Sequence, residues 1–458
     1  MQKFDILIIG SGGGTKLVRP AAALGKKVAI IEKAELGGTC LNRGCIPSKM
    51  LIHVADFATT LKKSLKFELN LKQGFQLDFK ALIERVNQTI TDESMGIEPL
   101  YEKTPNVQLF KGHARFLEDK VVEVNGLKLT ADKIFIATGA SAHIPHQLEG
   151  LDSVPFMTYD EALKSTKLPK KMLIIGGGYI ATELGYFFSA LGVDVKFIVR
   201  SSMLKMEDKE VQKEFERLFC QQEEVLLGYK SKKITYDKGN YTLVVEDKEG
   251  HVSSLESDAL LVATGVEPNT SSLGLENTQI QTNKKGYIEI NDFLETSVKG
   301  VYAFGDVIGR HLFRHTANFE GEYLFDALFK SKSPYPITYP PVPHAVFTHP
   351  QVAGVGATEE ELEKSNTPYF KGVNYYSDSA MGMALLPEGG FVKLLFDKRD
   401  QSLVGAHIIG DEASNMIHML IAFMNKGAVL EDILKMIYIH PALPEVVRNA
   451  ARKAKSTL

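Results

Sequence analysis

The stretch Asp5-Ile6-Leu7-Ile8-Ile9-Gly10-Ser11-Gly12-Gly13-Gly14-Thr15 is an apolar run that ends in glycines and passes into a helix-compatible segment. Lys171-Met172-Leu173-Ile174-Ile175-Gly176-Gly177-Gly178-Tyr179-Ile180-Ala181-Thr182-Glu183 repeats the pattern. Each predicts the first strand, turn and helix start of a dinucleotide-binding unit. Glycines allow the tight turn and a close backbone approach, and the helix N-terminus offers unpaired N–H groups to a pyrophosphate. One such string is weak evidence. Two, each followed at the expected spacing by a second strand end, define an α/β chain with two Rossmann-like units. The first copy departs from the pattern: Thr15 stands where the third glycine belongs, and Pro20 falls where the helix should already be running. A displaced helix start or an altered pyrophosphate seat is therefore expected there.

The second strand ends distinguish two nucleotides. After the first motif, Lys27-Val28-Ala29-Ile30-Ile31 ends in Glu32, an acceptor suited to ribose hydroxyls. After the second, Val195-Lys196-Phe197-Ile198-Val199 puts Val199 where that acid would be and follows it with Arg200, Ser201 and Ser202. A cation with hydroxyls suits a 2′-phosphate, so this half is expected to prefer NADP, with NAD(H) as the alternative.

The chain has 458 residues, enough for roughly three domains. A hydrophobic fraction of 44% is ordinary for a globular enzyme, and a net charge of −3 with scattered Lys and Arg leaves no footprint for nucleic acid or an anionic membrane. Small-molecule chemistry is the expectation. Met1-Gln2-Lys3-Phe4-Asp5 runs straight into a strand, leaving no room for a charged leader and apolar run. The longest apolar region, 172–199, is interrupted by glycines, Glu183 and Asp194 and does not read as a membrane span. A cytoplasmic location is expected, where a disulfide is usually catalytic.

Only three cysteines are present. Cys40 and Cys45 are separated by four residues in Gly37-Gly38-Thr39-Cys40-Leu41-Asn42-Arg43-Gly44-Cys45-Ile46-Pro47-Ser48-Lys49, soon after the first glycine motif. So few cysteines do not make a disulfide-stapled scaffold, so this pair reads as a working dithiol. Taken alone, two buried reduced cysteines would be the plainer reading, since cysteine is among the most buried residue types. The surrounding sequence overturns it. Cys220 has no partner in sequence and reads as structural.

These residues carry a resemblance over nearly the whole chain. The sequence is similar to the flavin-dependent pyridine nucleotide-disulfide oxidoreductases: dihydrolipoamide dehydrogenase and the glutathione, mycothione and mercuric reductases. The matching pieces are the first glycine motif, the Cys40/Cys45 string, Ala137-Thr138-Gly139, the motif from Gly176 to Glu183, Ala263-Thr264-Gly265, Val301-Tyr302-Ala303-Phe304-Gly305-Asp306 and His440-Pro441-Ala442-Leu443-Pro444-Glu445. The resemblance implies an FAD-binding domain over residues 1–150 that is completed by 271–340, an NAD(P)-binding domain over 151–270, and an α+β dimerisation domain over 341–458. By the same resemblance, Gly10, Gly12, Gly14, Glu32, Lys49, Thr138, Gly139, Gly305 and Asp306 belong to FAD. Gly176, Gly178, Tyr179, Ala181, Glu183, Arg200, Ser201 and Gly265 belong to the nicotinamide dinucleotide.

The resemblance also implies a mechanism. NADPH gives hydride to the flavin, which passes two electrons to the Cys40–Cys45 disulfide; Cys45 lies against the flavin and Cys40 faces the substrate. Cys40 attacks a substrate disulfide as thiolate, and His440, oriented by Glu445, acts as acid and base from the partner chain of a homodimer. Lys49 and Glu183 are expected to pair beside the flavin. Tyr179 occupies the position of an aromatic that yields to nicotinamide, with core packing an equally good account. No metal site is expected. Lys49 fits the dehydrogenases' Ile-Pro-Ser-Lys string, while glutathione reductases carry that lysine one position earlier, where this chain has Ser48. The end 453–458 lacks the cysteines that mercuric reductase uses. Arg200, Tyr179, His315-Thr316-Ala317-Asn318 and the His440 string look more like mycothione reductase. The expected activity is NADPH-preferring reduction of a low-molecular-weight disulfide. The alternative is NAD-dependent dihydrolipoamide dehydrogenase, which would add a lipoyl-domain protein as partner. A flavoprotein that merely senses NAD(P)H would need neither Cys40/Cys45 nor His440.

Overall fold

The computed structural model describes residues 1–71 and 74–458. Strands Val107–Lys111, Val28–Glu32, Gln2–Ile9 and Leu127–Ile136 lie side by side in that order, all parallel. The apolar runs of the two central strands, Ile6–Ile9 and Val28–Ile31, are buried end to end, as expected for parallel strands covered on both faces, whereas the edge strand Val107–Lys111 buries only Phe110. The long strand Leu127–Ile136 takes the antiparallel strand Val121–Val124 along its first half and Val301–Ala303, parallel, along its second. A segment far downstream thus returns to complete the first sheet.

The second unit repeats the first. Strands Glu224–Leu227, Asp194–Val199, Lys171–Ile175 and Ala259–Val262 form a four-stranded sheet, again parallel throughout. In both units the glycine ending the first strand donates its N–H to the neighbouring second strand: Gly10 to Ile31 O at 2.9 Å and Gly176 to Ile198 O at 3.1 Å. Both glycines have positive φ, +102° and +140°. A Cβ on them would sit 2.4 Å from Ala137 O and 2.2 Å from Ala263 O. Only glycine fits either place.

The helices that follow start differently. One spans Tyr179–Ala190, three residues after Gly176; the other spans Thr15–Ala23, five residues after Gly10. In between, Lys16 N bonds Gly13 O and Leu17 N bonds Gly14 O, so tight turns precede the regular helix. The displaced start expected from Thr15 is present. Pro20 lies inside the helix rather than ending it.

Beyond residue 342 the chain builds a five-stranded antiparallel sheet in the order Pro343–Val346, Gln351–Gly356, Leu403–Gly410, Phe391–Asp397, Tyr369–Tyr375. Helices Ala413–Asn425 and Pro444–Lys455 pack on it around a separate apolar core. The last helix rests directly on Gly372, where a Cβ would fall 2.0 Å from Ala450 O. The architecture is two Rossmann-like units followed by an α+β domain. No helix among the described residues is long and apolar enough to cross a membrane.

Candidate active site

A cavity of about 500 Å³ opens at the C-terminal ends of the first sheet's strands, where open parallel sheets place their ligands. It is lined by Gly10, Gly12, Glu32, Cys40, Cys45, Thr138, Gly139, Gly305 and Asp306. Gly14 is buried behind this lining, and a Cβ there would lie 2.2 Å from Gly10 O. Glu32 accepts from Ser11 N at 2.8 Å and from Ser11 Oγ at 2.7 Å, which ties the second strand end to the glycine turn. Thr138 O accepts from Asn269 Nδ2 at 2.9 Å, and Gly305 N donates to Glu320 at 2.6 Å. Burial pushes the Asp306 carboxyl up to about 6, opposed by the Arg314 guanidinium.

The two cysteines sit on consecutive helices broken at Gly44. Cys40 lies in Gly38–Arg43, and Cys45 opens Cys45–Lys62, with Pro47 tolerated in the first turn. A Cβ on Gly44 would meet Thr39 O at 2.9 Å, so the break depends on glycine. The two thiols lie within hydrogen-bond reach of each other. Cys45 falls to about 7, chiefly through the Cys40 hydrogen bond and with help from Lys49 and Arg314. Its place at a helix N-terminus acts in the same sense. The Cys40 thiol is pushed up by donating to Cys45 and by burial. The first thiolate of this pair is therefore Cys45, and Cys40 needs a base from elsewhere.

Four residues further along the same helix, Lys49 Nζ meets Glu183 Oε2 at 2.6 Å. Glu183 is buried and also accepts from Phe347 N at 3.0 Å, and Lys49 Nζ stands 4.5 Å from the centre of the Phe347 ring. The expected pair is formed, and it joins the first unit to the second. Gly178 is the N-cap of the helix that carries Tyr179, Ala181 and Glu183. Arg200 and Ser201 stand exposed just beyond the strand ending at Val199, and Gly265 is exposed at the end of the Ala263-Thr264-Gly265 string.

His440 Nδ1 lies 3.0 Å from Glu445 Oε2. Glu445 is buried in the first turn of the last helix, also accepts from Ala442 N at 3.2 Å and pairs with Arg448 at 2.8 Å, contacts that hold its carboxyl below the usual range. The His440 side chain is 71% exposed, and the histidine is absent from the lining of the cavity that holds the cysteines. Within one chain the dithiol and the histidine–glutamate dyad are not brought together.

Two features escaped the sequence reading. Arg314, a residue before His315, projects into the cavity; a Cβ on Gly12 would be 3.6 Å from its Nη1, and its charge favours both thiolates. Glu207 and His344 meet at 2.8 Å beside Tyr179, although 137 residues separate them in sequence. No local pattern marks either feature. Cys220, read as structural, is exposed in the last turn of helix Lys209–Gln222, so packing does not explain it.

Two family models cover most of the chain: pyridine nucleotide-disulphide oxidoreductase over residues 4–321 and the dimerisation domain of the same family over 342–451. The chain belongs to the pyridine nucleotide-disulphide oxidoreductases, FAD-dependent enzymes that act on sulfur groups with NAD(P). Its relatives include dihydrolipoyl dehydrogenase 2, mitochondrial, of Arabidopsis thaliana, 33% identical over 98% of this chain and 89% of that one. A mercuric reductase of Lysinibacillus sphaericus is 32% identical over 98% of this chain and 82% of its own. Among solved structures, the HOCl-induced flavoprotein disulfide reductase RclA from Escherichia coli superposes with a TM-score of 0.86 at 26% identity, covering 99% of this chain and 100% of that one.

The cavity fits FAD. Its volume is that of a cofactor pocket. Gly12 leaves open backbone on the cavity wall beside Arg314, Glu32 stands at the ribose position, and Asp306 lines the cavity as a half-buried carboxyl raised by desolvation.

Proposed function

We propose that the protein is an NADPH-preferring reductase of a low-molecular-weight disulfide, active as a homodimer whose sites each draw on both chains. The reading rests on Val199-Arg200-Ser201, an exposed cation and hydroxyl where an acid would serve NAD. The glycine turn, Glu32, Thr138, Gly139, Gly305 and Asp306 would hold FAD, which would supply two-electron chemistry between the nicotinamide and the Cys40–Cys45 disulfide. Lys49, held by Glu183, places a positive charge near Cys45 and stabilises its thiolate.

Once the dithiol is reduced, Cys40 Sγ attacks one sulfur of the substrate disulfide and forms a mixed disulfide, while the other sulfur leaves as a thiol. His440 of the partner subunit takes the Cys40 proton and gives it to the leaving sulfur; Glu445 of the partner subunit fixes the imidazole through Nδ1. Cys45 thiolate then attacks Cys40 Sγ, expels the second substrate sulfur as a thiolate that takes its proton from water, and closes the Cys40–Cys45 bond. The raised Cys40 thiol is the reason such a base is needed. The exposure of His440, flanked by Ile437 at 100% and Ile439 at 81%, supports its delivery to a second chain.

A second reading is NAD-dependent oxidation of dihydrolipoamide, favoured by the dihydrolipoyl dehydrogenases among the relatives and by the Ile46-Pro47-Ser48-Lys49 string. Anaerobic titration of the oxidised holoenzyme with NADPH and with NADH, followed by a panel of disulfides that includes lipoamide, separates the two. Preference for NADPH with turnover of a small disulfide supports the first reading. Preference for NADH with lipoamide turnover overturns it.

A further inference from the structure

Tyr179 is held at three points. Its hydroxyl donates to Glu207, whose other oxygen accepts from His344 Nε2 at 2.8 Å. Its ring is stacked against Phe313 and against His344, with both centroid distances 6.3 Å. The three supports come from different parts of the molecule. Phe313 precedes the helix that packs under the first glycine motif, Glu207 belongs to the second unit, and His344 lies on the first strand of the C-terminal sheet.

Glu207 is buried and its carboxyl is held below the usual range by His344 and Tyr179, so it is a charged acceptor with both oxygens engaged. His344 has little freedom. A Cβ on Gly354 of the adjacent strand would lie 2.6 Å from its ring, so the imidazole packs flat on that glycine. Glu207 also lies in the loop that begins at Arg200 and Ser201, and Leu204 N anchors this loop to Gly177 O at 2.9 Å. The residues that choose the coenzyme and the acid that grips Tyr179 therefore share one short, tethered segment.

We propose that Glu207, fixed by His344, is a positioning residue that latches Tyr179 through its hydroxyl, so that a nicotinamide ring enters only by breaking the Tyr179–Glu207 hydrogen bond. The proposal rests on the reading of Tyr179 as the cover of the nicotinamide subsite. It makes the latch a determinant of dinucleotide affinity. The bond goes to a charged acceptor, so its net effect is about ten- to a hundredfold in affinity.

The test uses the FAD-loaded enzyme and titration calorimetry with NADP⁺ and NAD⁺, which bind without reducing it. Tyr179→Phe removes a single oxygen and should bind dinucleotide about ten- to a hundredfold more tightly than wild type. Glu207→Gln should shift binding in the same direction, and the Tyr179→Phe/Glu207→Gln double variant should add little to either single change, because one interaction is being removed. A purely structural role for Glu207 would lower the melting temperature and leave binding by Tyr179→Phe untouched. Equal or weaker binding by Tyr179→Phe, with FAD content unchanged, overturns the latch even if Glu207→Gln fails to fold. If the wild-type holoenzyme binds neither dinucleotide, the reading of the second unit fails as well, and the latch with it.

Discussion

The sulfur of Cys45 is lowered to about 7 while that of Cys40 is raised, so the reduced pair ionises in one order. In FAD-loaded protein reduced by two electrons, a long-wavelength absorption band from the Cys45 thiolate beside the flavin should grow as pH rises through about 7. Lys49→Met removes a charge that favours the thiolate and should move the midpoint upward. Cys45→Ser should abolish the band and Cys40→Ser retain it; a band that survives in Cys45→Ser reverses the assignment of the two sulfurs. Arg200 offers a second measurement. Arg200→Ala should lower kcat/KM for NADPH by about one to two powers of ten and leave NADH nearly unchanged, as expected for one charge-assisted contact to a phosphate. At this scale the sequence is legible where residues are neighbours in the chain: the Cys40/Cys45 string and Glu32 lie together on the cavity beside the first glycine motif. Lys49–Glu183, 134 residues apart, was reached only through family likeness, and Glu207–His344 was not reached at all. Contacts between distant segments leave no periodic trace.

Strands and turns were more legible than side-chain partners. The runs ending at Gly10 and Gly176 are buried on both faces, so their apolar stretches announce themselves, and the glycines are demanded by a carbonyl within 2.4 Å of any Cβ. Gly176→Ala should therefore impair the second unit alone: the protein keeps FAD, loses dinucleotide binding in calorimetry and unfolds at lower temperature, with a stability loss of about 1–3 kcal/mol from overpacking. Retained dinucleotide affinity would show that the turn tolerates a shift. The delayed helix after Gly10 follows from the same local chemistry, since Thr15 cannot take the place of a glycine in the tight turn. The antiparallel sheet beyond residue 342 was not readable strand by strand. Its most buried strand, Phe391–Asp397, contains Lys393, a residue that pattern reasoning assigns to the surface.

For the molecule as a whole, the separation of the cysteine cavity from His440 within one chain sets the main experiment. Cys40→Ser and His440→Ala homodimers should each be almost inactive. After reversible dissociation and mixing, about half the dimers are heterodimers with one intact site of two, so activity should return to about a quarter of wild type. Heterodimers that form and stay inactive would place both groups in one chain. The overall arrangement was legible because motif order runs the length of the chain, whereas the way its parts grip each other was not. Lys393, with a fully buried ammonium, takes Asp208 at 2.9 Å and Glu359, and Glu210 at 2.9 Å, while Lys371 joins Glu210 and Glu359 at 2.9 and 2.8 Å. Asp208 and Glu210 belong to the second nucleotide unit; the others belong to the C-terminal domain. Severing such a buried pair leaves an uncompensated charge, at about 3–5 kcal/mol. Family models cut the chain between residues 321 and 342, yet charge stitches the two sides together. Swapping in a relative's coenzyme module should therefore yield an insoluble chimera unless the graft carries matching acids for Lys393.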